Sequence, residues 1–164
     1  MTLAQINSLD REQFVQQLGG IYEHSPWVAE SVWPKHPFPS RDALRELMHA
    51  AVENSGRDST LALLLAHPDL GTRARLGGVS AREQKSAGLD RLSEGEEEIL
   101  LILNRKYRDK FGFPFIYAVR GSNKNDVLIA LNVRLESDAQ DEFAQAMFEV
   151  HRIAAFRLED LIEE

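Results

Sequence analysis

The chain carries five histidines, and one of them lies where an acid–base group is expected. His67 follows the apolar run 61–66 and precedes Pro68. Because the residue before a proline disfavours the α conformation, we expect a helix to end near His67. Gly71 then permits a turn. The imidazole would lie at the end of an apolar helix, where it suits proton transfer near neutral pH, although an ordinary helix-ending histidine has the same pattern.

A carboxylate and an arginine are the next candidates for chemistry. Glu83 lies three residues after Ser80, which is the spacing of a helix capping box, so its side chain either caps a helix or serves a ligand. Arg157 lies beside Leu158 in a segment with an apolar stripe. A guanidinium there binds an anionic or carbonyl oxygen through paired N–H groups, or else it stays at the surface above a buried stem.

The sequence predicts no metal centre and no common nucleophile or phosphate motif. None of the histidines belongs to a His-x-x-x-His pair, and His67 with Asp69 alone offers too few ligands. The chain has no cysteine, which excludes disulfides, thiolate ligands and thiol catalysis. It also has no glycine-rich phosphate loop and no nucleophile elbow.

Helical periodicity dominates the chain and predicts an all-α fold. We expect helices to start at Asp10, Ser40 and Ser93, whose side chains can accept hydrogen bonds from first-turn amides. Residues 113–121 are the one strand-like stretch, and without a partner strand they predict an extended buried segment. Its backbone groups need partners, and a polar ligand is one candidate. We predict a single domain over residues 1–164, built as a bundle of about seven or eight helices.

Charge and composition narrow the partners of the chain. The formal net charge is −7, from 19 basic and 26 acidic residues. A nucleic-acid backbone or an anionic membrane surface would require a basic face, so neither is expected as a partner. Residues 1–7 lack the features of a secretory signal, and no run is apolar and long enough to span a membrane. We therefore expect a cytoplasmic protein that acts on a small molecule.

Three motifs, in one order, resemble the 2-oxo-4-hydroxy-4-carboxy-5-ureidoimidazoline (OHCU) decarboxylases. The likeness extends from about Asn7 to Leu161, and residues 152–158 also resemble the last helix of the family. The joint pattern is specific, whereas His-Pro-Asp-Leu by itself would not be. The motifs are AHPDLG at 66–71, SAREQKSAGL at 80–89 and NRKYRDKFGFPFI at 104–116.

The resemblance implies an all-helical enzyme of urate breakdown that works without a cofactor and is commonly a homodimer. Such an enzyme removes CO2 from the ureidoimidazoline and yields (S)-allantoin. His67 matches the family's catalytic histidine, Glu83 its site glutamate and Arg157 its substrate-binding arginine. Arg152 lies five residues from Arg157, so the choice between these two arginines stays open.

The resemblance also implies a set of pocket residues. Pro68 and Ser80 match pocket positions of the family. The segment whose backbone faces the ligand is matched by Ile116, Tyr117 and Ala118. The chemistry agrees with a site that has no cofactor, because the C=N unit of the substrate can accept the electron pair that CO2 leaves behind. A product of one hand requires a positioned proton donor, and His67 is the candidate.

Two other functions fit the same composition. A non-enzymatic helical domain that dimerises through its aromatic surface would tolerate His67→Ala. Another purine-catabolic lyase or hydrolase of ureido compounds would in many cases depend on a metal, and a chelator would then abolish its activity. The joint motif favours the decarboxylase over both.

Overall fold

The structure is a computed structural model, and it describes residues 1–71 and 78–163. These residues contain no β-strand, so the predicted all-α class is confirmed. None of their helices is both long and apolar enough to cross a membrane. The described helices are α1 (Leu3–Asn7), α2 (Arg11–Leu18), α3 (Trp27–Val32), α4 (Arg41–Glu53), α5 (Arg57–Ala66), α6 (Val79–Ser86), α7 (Glu94–Phe111), α8 (Lys124–Leu135) and α9 (Ala139–Leu161), with a 3-10 turn at Trp33–Lys35.

Polar side chains start three of these helices as the sequence predicts. Asp10, Ser40 and Ser93 precede α2, α4 and α7. Each side-chain oxygen accepts a hydrogen bond from the amide three residues later, at 2.8, 3.0 and 3.2 Å respectively. These bonds satisfy first-turn amides that have no partner inside the helix, which is why helices begin at these residues.

By its internal contacts the chain divides into two compact units. The first unit contains Met1–Ala66 and Val150–Glu164, and the second contains His67–Glu149. Helix α9 contributes residues to both units, since its residues up to Glu149 belong to the second and those from Val150 belong to the first. One domain over residues 1–164 remains our prediction.

The first unit buries an aromatic core beneath its proline-rich loop. Phe14 is fully buried, and its ring centroid lies 5.2 Å from that of Trp33 and 5.5 Å from that of Phe38. The side-chain amide of Asn7 donates to the Phe38 carbonyl, and its oxygen accepts from the Phe38 N–H. The loop is thus part of the core of this unit, because its aromatic rings and its backbone are both engaged there.

The second unit is built around α7, α8 and an extended segment. Residues 113–119 have no regular secondary structure, and all of them except the half-buried Tyr117 are buried. The ring of Tyr107 on α7 lies 5.9 Å from that of Phe113 and 5.4 Å from that of Phe115. The predicted extended buried segment is therefore confirmed for residues 113–119, whereas Arg120 and Gly121 form an exposed turn. Aromatic packing against α7 is one of the interactions that stabilise the segment.

Candidate active site

His67 lies immediately after the last residue of α5, where the sequence predicts the helix to end. Pro68 restricts the backbone of the residue before it, and this accounts for the helix ending at Ala66. The His67 side chain is only 7% exposed, although histidine is a residue of intermediate burial in general. A buried imidazole at a helix end is therefore a feature of this chain, and no solvated surface histidine is seen at this position.

Two amide side chains fix the loop of residues 67–71. The N–H of Gly71 donates to Oε1 of Gln84 at 2.8 Å. The side-chain amide of Asn104 donates to the carbonyl of Leu70 at 3.0 Å. Gln84 and Asn104 are both buried, so these hydrogen bonds form away from water and hold the backbone more firmly than exposed ones would. The backbone that carries the candidate histidine is thereby tied to α6 and to α7.

The backbone conformation of the 67–71 loop requires glycine at position 71. Its φ is +85°, a conformation that L side chains rarely adopt. A Cβ added at this position would lie 2.7 Å from Cδ2 of Leu100, which is closer than van der Waals contact allows. In the same loop, Arg108 donates an exposed hydrogen bond to Oδ1 of Asp69 at 2.8 Å. The motif residues after His67 thus have defined structural partners in the second unit.

Helix α6 starts two residues earlier than a Ser80 cap requires, so the predicted capping box is wrong. Gly78 is the N-cap, with φ 104° and ψ −178°, and no side chain caps this helix. Because glycine adopts that backbone conformation easily, the helix begins at Val79 and Ser80 becomes an interior residue. Ser80 is buried and Glu83 is half-buried. Glu83 therefore does not act in a capping box.

Charged side chains hold the backbone of the extended segment on either side of Tyr117. Arg134 Nη1 donates to the carbonyl of Ile116 at 2.5 Å. The N–H of Ala118 donates to Oε2 of Glu149 at 2.8 Å. Arg134 and Glu149 are both buried. Part of the hydrogen-bonding capacity that the sequence left for a ligand is thus taken by these two side chains.

A buried charge network supports Arg134. Its Nε donates to Oε1 of Glu142 at 2.6 Å, and the Tyr107 hydroxyl donates to the same carboxylate oxygen. The guanidinium carbon lies 4.5 Å from the ring centroid of Phe115. Burial, with the hydrogen bond to Glu142, raises the pKa of Tyr107 well above its ordinary value. Tyr107 is therefore a permanent hydrogen-bond donor at neutral pH.

The predicted site residues fall into both units. Arg157 belongs to the first unit, and the others belong to the second. Pro68 and Tyr117 are half-buried, and the Tyr117 hydroxyl lies 3.2 Å from Oγ of Ser122. The residues in the second unit are His67, Pro68, Ser80, Glu83, Ile116, Tyr117 and Ala118.

Arg157 is buried in the first unit, contrary to the surface alternative left open by the sequence. Its Nη2 lies 2.9 Å from Oε2 of Glu23, and both side chains are 7% exposed. Its Nη1 donates to the carbonyl of Gly20 at 3.1 Å. Arg152 is half-buried, and its guanidinium carbon lies 5.8 Å from the Phe156 ring centroid. The two arginines therefore differ in burial, and Arg157 is the one that pairs with the buried carboxylate of Glu23.

Sequence reasoning missed Glu23 and Glu149, although one of them left a signal. Glu142, Ala146 and Glu149 follow i, i+4, i+7 spacing on α9, and all three are buried. Carboxylates on the buried face of a helix are rare unless they are paired, so this spacing could have drawn attention to Glu149. Glu23 lies between two helices, and no local pattern links it to a residue 134 positions later.

The chain is similar to OHCU decarboxylases over nearly its whole length. The family model described as OHCU decarboxylase matches residues 7–159. The 2-oxo-4-hydroxy-4-carboxy-5-ureidoimidazoline decarboxylase of Haloferax volcanii is 47% identical over 158 residues, which are 96% of this chain and 94% of that protein. A crystal structure of (S)-allantoin synthase superposes with a TM-score of 0.82 at 36% identity.

Some of these relatives are longer than this chain. The uric acid degradation bifunctional protein of Bacillus sp. (strain TB-90) is 42% identical over all 164 residues, and the chain spans only 33% of it. The match to (S)-allantoin synthase covers 99% of this chain and 54% of that chain. The chain is thus similar both to a protein of its own length and to one part of larger proteins.

Proposed function

Because the chain belongs to the OHCU decarboxylase family, as the sequence predicted, we propose that it removes CO2 from 2-oxo-4-hydroxy-4-carboxy-5-ureidoimidazoline and yields (S)-allantoin. The observation that carries this proposal is the burial of His67 at the start of the 67–71 loop. The backbone of this loop is hydrogen-bonded to Gln84 and Asn104. A proton-transfer group must be held in one place if the product is to have one hand. The hydrogen bonds of the 67–71 loop to buried side chains hold His67 in one place.

The reaction needs an electron acceptor and a controlled proton. When the carbon–carbon bond to the carboxylate breaks, CO2 leaves and its electron pair passes into the ring, toward the neighbouring C=N unit. The ring nitrogen of that unit and the carbon that carries the ureido group then each take a proton, and the ring hydroxyl loses one to become a carbonyl, so that one proton is taken up from solvent overall. Since the substrate itself accepts the electrons, we propose that the reaction requires no cofactor, and that fixed hydrogen-bond donors stabilise the developing charge.

We assign the proton transfers to His67. Histidine is the side chain whose ordinary pKa lies nearest neutrality, so it can take the hydroxyl proton and return a proton to carbon at physiological pH. Because His67 is buried, bulk water is excluded from its imidazole. Bulk water would otherwise compete as a proton donor to either face of the substrate ring. This role explains why a residue of this type follows α5 in a low-exposure position.

Glu83 and its neighbours on α6 are proposed to bind the ureido part of the substrate. Glu83 is half-buried in the interior of α6, so its carboxylate can accept hydrogen bonds from ureido N–H groups or orient His67. Ser80 lies one turn earlier on the same helix and is buried. Residues three apart on a helix lie on one face, so Ser80 is proposed as a further hydrogen-bonding group of this pocket, beside the half-buried Pro68.

The extended segment of the second unit and Arg157 of the first unit are each proposed as substrate-binding groups. The backbone of Ile116, Tyr117 and Ala118 is proposed to face the substrate amides, with Arg134 and Glu149 holding that backbone in place. Arg157 is proposed to bind a carboxylate or carbonyl oxygen. Its planar guanidinium suits such oxygens, and its ion pair with Glu23 fixes the orientation of the guanidinium plane.

We further propose that the protein is a homodimer, as the resemblance implies. Large apolar side chains are exposed on α7 and α8, which is unusual for a surface that stays in water. They include Ile99, Leu101, Ile102, Ile129 and Val133. Sedimentation equilibrium tests the dimer, and a single species at 18.6 kDa would contradict it.

The cytoplasm is the proposed location, because a chain without cysteine has no use for an oxidising compartment. The net charge of −7 supports a small-molecule substrate, with neither nucleic acid nor membrane as a partner.

The proposal is tested with substrate made fresh by urate oxidase and hydroxyisourate hydrolase. Circular dichroism follows the appearance of optically active allantoin, with and without a metal chelator. We expect a fast signal of the S enantiomer that the chelator does not change. Slow racemic product equal to the protein-free control would favour a non-enzymatic helical domain, and activity that the chelator abolishes would favour a metal-dependent ureido-compound enzyme.

A further inference from the structure

Two histidines and a glutamate converge in the first unit, apart from the residues assigned to catalysis. His49 and Glu53 lie one turn apart on α4, and His151 lies on α9. One imidazole nitrogen of each histidine and one carboxylate oxygen of Glu53 all lie within 4.8 Å of one another. A search of the sequence for His-x-x-x-His pairs misses this group, because its helical pair is His-x-x-x-Glu and its third member lies 98 residues beyond Glu53.

We propose that His49, Glu53 and His151 form a binding site for one divalent transition-metal ion such as Zn²⁺. Two imidazoles and a carboxylate are ligands that such ions prefer, and three protein ligands leave a fourth position for water. The chain has no cysteine, so thiolates offer no competing site. The proposal concerns metal binding by this unit and leaves the decarboxylation without a metal.

The distances suit a site that closes around an ion by side-chain rotation. His151 Nε2 lies 2.8 Å from Oε1 of Glu53, and the ring centroids of His49 and His151 are 3.8 Å apart. Two ligand atoms of a tetrahedral zinc ion are about 3.3 Å apart, since each bond is about 2.0–2.2 Å long. His49 is exposed and the Glu53 side chain is 51% exposed, so both can rotate without disturbing the core.

His151 already has the outer partner that metal-binding histidines usually have. The Tyr22 hydroxyl lies 2.8 Å from Nδ1 of His151, on the ring side opposite Glu53. Without an ion, Nε2 carries the proton that it donates to Glu53, and Nδ1 accepts from Tyr22. When an ion binds Nε2, the ring changes tautomer: Nε2 loses its proton to solvent and Nδ1 takes one up, so that the Nδ1–H donates to the Tyr22 oxygen. Such outer hydrogen bonds orient the ring and fix its tautomer.

The electrostatics of the group also favour a cation. A metal ion binds histidine in its neutral form, so the ion and a proton compete for the same nitrogen. His151 is 13% exposed in its side chain, which is enough for an ion to reach Nε2 from solvent. The carboxylate of Glu53 supplies the negative charge that offsets the ion.

The plainer explanation is a hydrogen bond between Glu53 and His151 with His49 packed against it by chance. The two explanations differ in what His49 does. A chance neighbour contributes nothing to metal affinity, whereas a ligand contributes as much as any other member of the site. His49→Ala therefore separates them, and because His49 is exposed, its removal leaves the core of the unit intact.

The experiment measures Zn²⁺ binding to the untagged full-length chain by isothermal titration calorimetry in a non-chelating buffer. We expect one ion per chain, with affinity at least about tenfold weaker in His49→Ala and in Glu53→Gln, and a similar loss in Tyr22→Phe. Glu98→Gln is the matched control. Glu98 is an exposed carboxylate on α7, in the other unit, and its removal changes the net charge equally.

A second readout is the visible absorption of bound Co²⁺, which reports nitrogen and oxygen ligands directly. We expect an intense band in the wild type and in Glu98→Gln that both ligand variants lose. A wild type that binds Zn²⁺ no more tightly than His49→Ala, or a Glu98→Gln variant that loses as much affinity as Glu53→Gln, would overturn the proposal. Neither result depends on catalytic activity, so the proposed function stands or falls separately.

Discussion

Glu23 and Arg157 form a buried ion pair in which Oε2 lies 2.9 Å from Nη2. The guanidinium also donates through Nη1 to the Gly20 carbonyl, so the loop before α3 holds it from two sides. Burial makes this pair a source of orientation more than of net stability, because the cost of removing both charges from water offsets most of their attraction. The pair thus explains how an arginine on α9 is held in one rotamer.

Removing the carboxylate should destabilise the protein and weaken substrate binding together. In Glu23→Gln the buried positive charge of Arg157 loses its partner, which costs about 3–5 kcal/mol of unfolding free energy. Urea denaturation measures that loss. If Arg157 binds substrate, KM should rise in the same variant because the guanidinium is no longer oriented.

The exposed Glu46→Gln on α4 is the control for Glu23→Gln, with an expected change within about 0.5 kcal/mol. Equal stability of Glu23→Gln and Glu46→Gln would show that the pair has no structural role. A destabilised Glu23→Gln with an unchanged KM would separate Arg157 from substrate binding.

Glu83→Gln should impair catalysis far more than folding. The structure gives α6 a glycine N-cap, so Glu83 has no capping box to lose. If its carboxylate orients His67 or accepts ureido hydrogen bonds, kcat/KM should fall by about 10²-fold or more, as for a charged hydrogen bond in an active site. Unfolding free energy should change by less than about 1 kcal/mol. Steady-state kinetics and urea denaturation, with exposed Glu98→Gln on α7 as the control, distinguish this from a structural glutamate.

Tyr107 should make the protein sensitive to alkaline pH. Its pKa is raised in the folded state, so the stability it contributes is fully present below the ordinary tyrosine pKa of about 10 and is lost as pH rises above that value. The expected slope is about 1.4 kcal/mol per pH unit for each such tyrosine. Tyr107→Phe should lower stability at pH 8 by about 1–1.5 kcal/mol through the lost hydrogen bond.

The decline of Tyr107→Phe above pH 10 should then be shallower than that of the wild type. Urea denaturation at pH 8 and at pH 11 measures both quantities. A variant whose stability falls as steeply as that of the wild type would show that Tyr107 ionises normally in the folded chain.

Gly71→Ala should lower both the unfolding free energy and the activity, because Gly71 is part of the 67–71 loop that carries His67. Its φ of +85° opposes any side chain, and a Cβ there would approach Leu100 to 2.7 Å. Backbone strain contributes about 1–2 kcal/mol and the clash about 1–3 kcal/mol more.

Gly56→Ala is the matched control for Gly71→Ala, since Gly56 has φ +90° and no atom within 4 Å of where its Cβ would lie. It should cost the backbone strain alone and leave kcat/KM unchanged. Equal effects of both variants on stability and kinetics would show that the 67–71 loop has no particular role in positioning His67.

Local signals allowed most helices and the extended segment to be predicted. Helices that start at Asp10, Ser40 and Ser93 do so because a side chain satisfies nearby amides, and that chemistry is visible in a few adjacent letters. The Ser80 cap failed for the same kind of reason, since Gly78 offered a backbone conformation that starts the helix earlier. Two adequate local signals competed, and the glycine prevailed.

The partners of the candidate site residues were beyond sequence reasoning. Glu23 pairs with Arg157, and Glu149 accepts from the Ala118 amide, across 134 and 31 residues of chain. Such pairs depend on how helices pack, which no window of sequence contains. The apolar run before His67 and the proline after it identify His67 as a candidate from the sequence. The burial of His67 and the hydrogen bonds that fix the 67–71 loop could not be predicted.

The most direct test of His67 as the acid–base group is the rate of (S)-allantoin formation by His67→Asn beside the wild type, followed by circular dichroism on fresh substrate. Far-ultraviolet dichroism and the unfolding midpoint first establish that the variant is folded. We predict a rate about 10²–10⁴-fold lower, with the remaining product close to racemic, because loss of the positioned acid–base group leaves protonation to water. Near-normal turnover to the S enantiomer in the folded variant would contradict this role for His67.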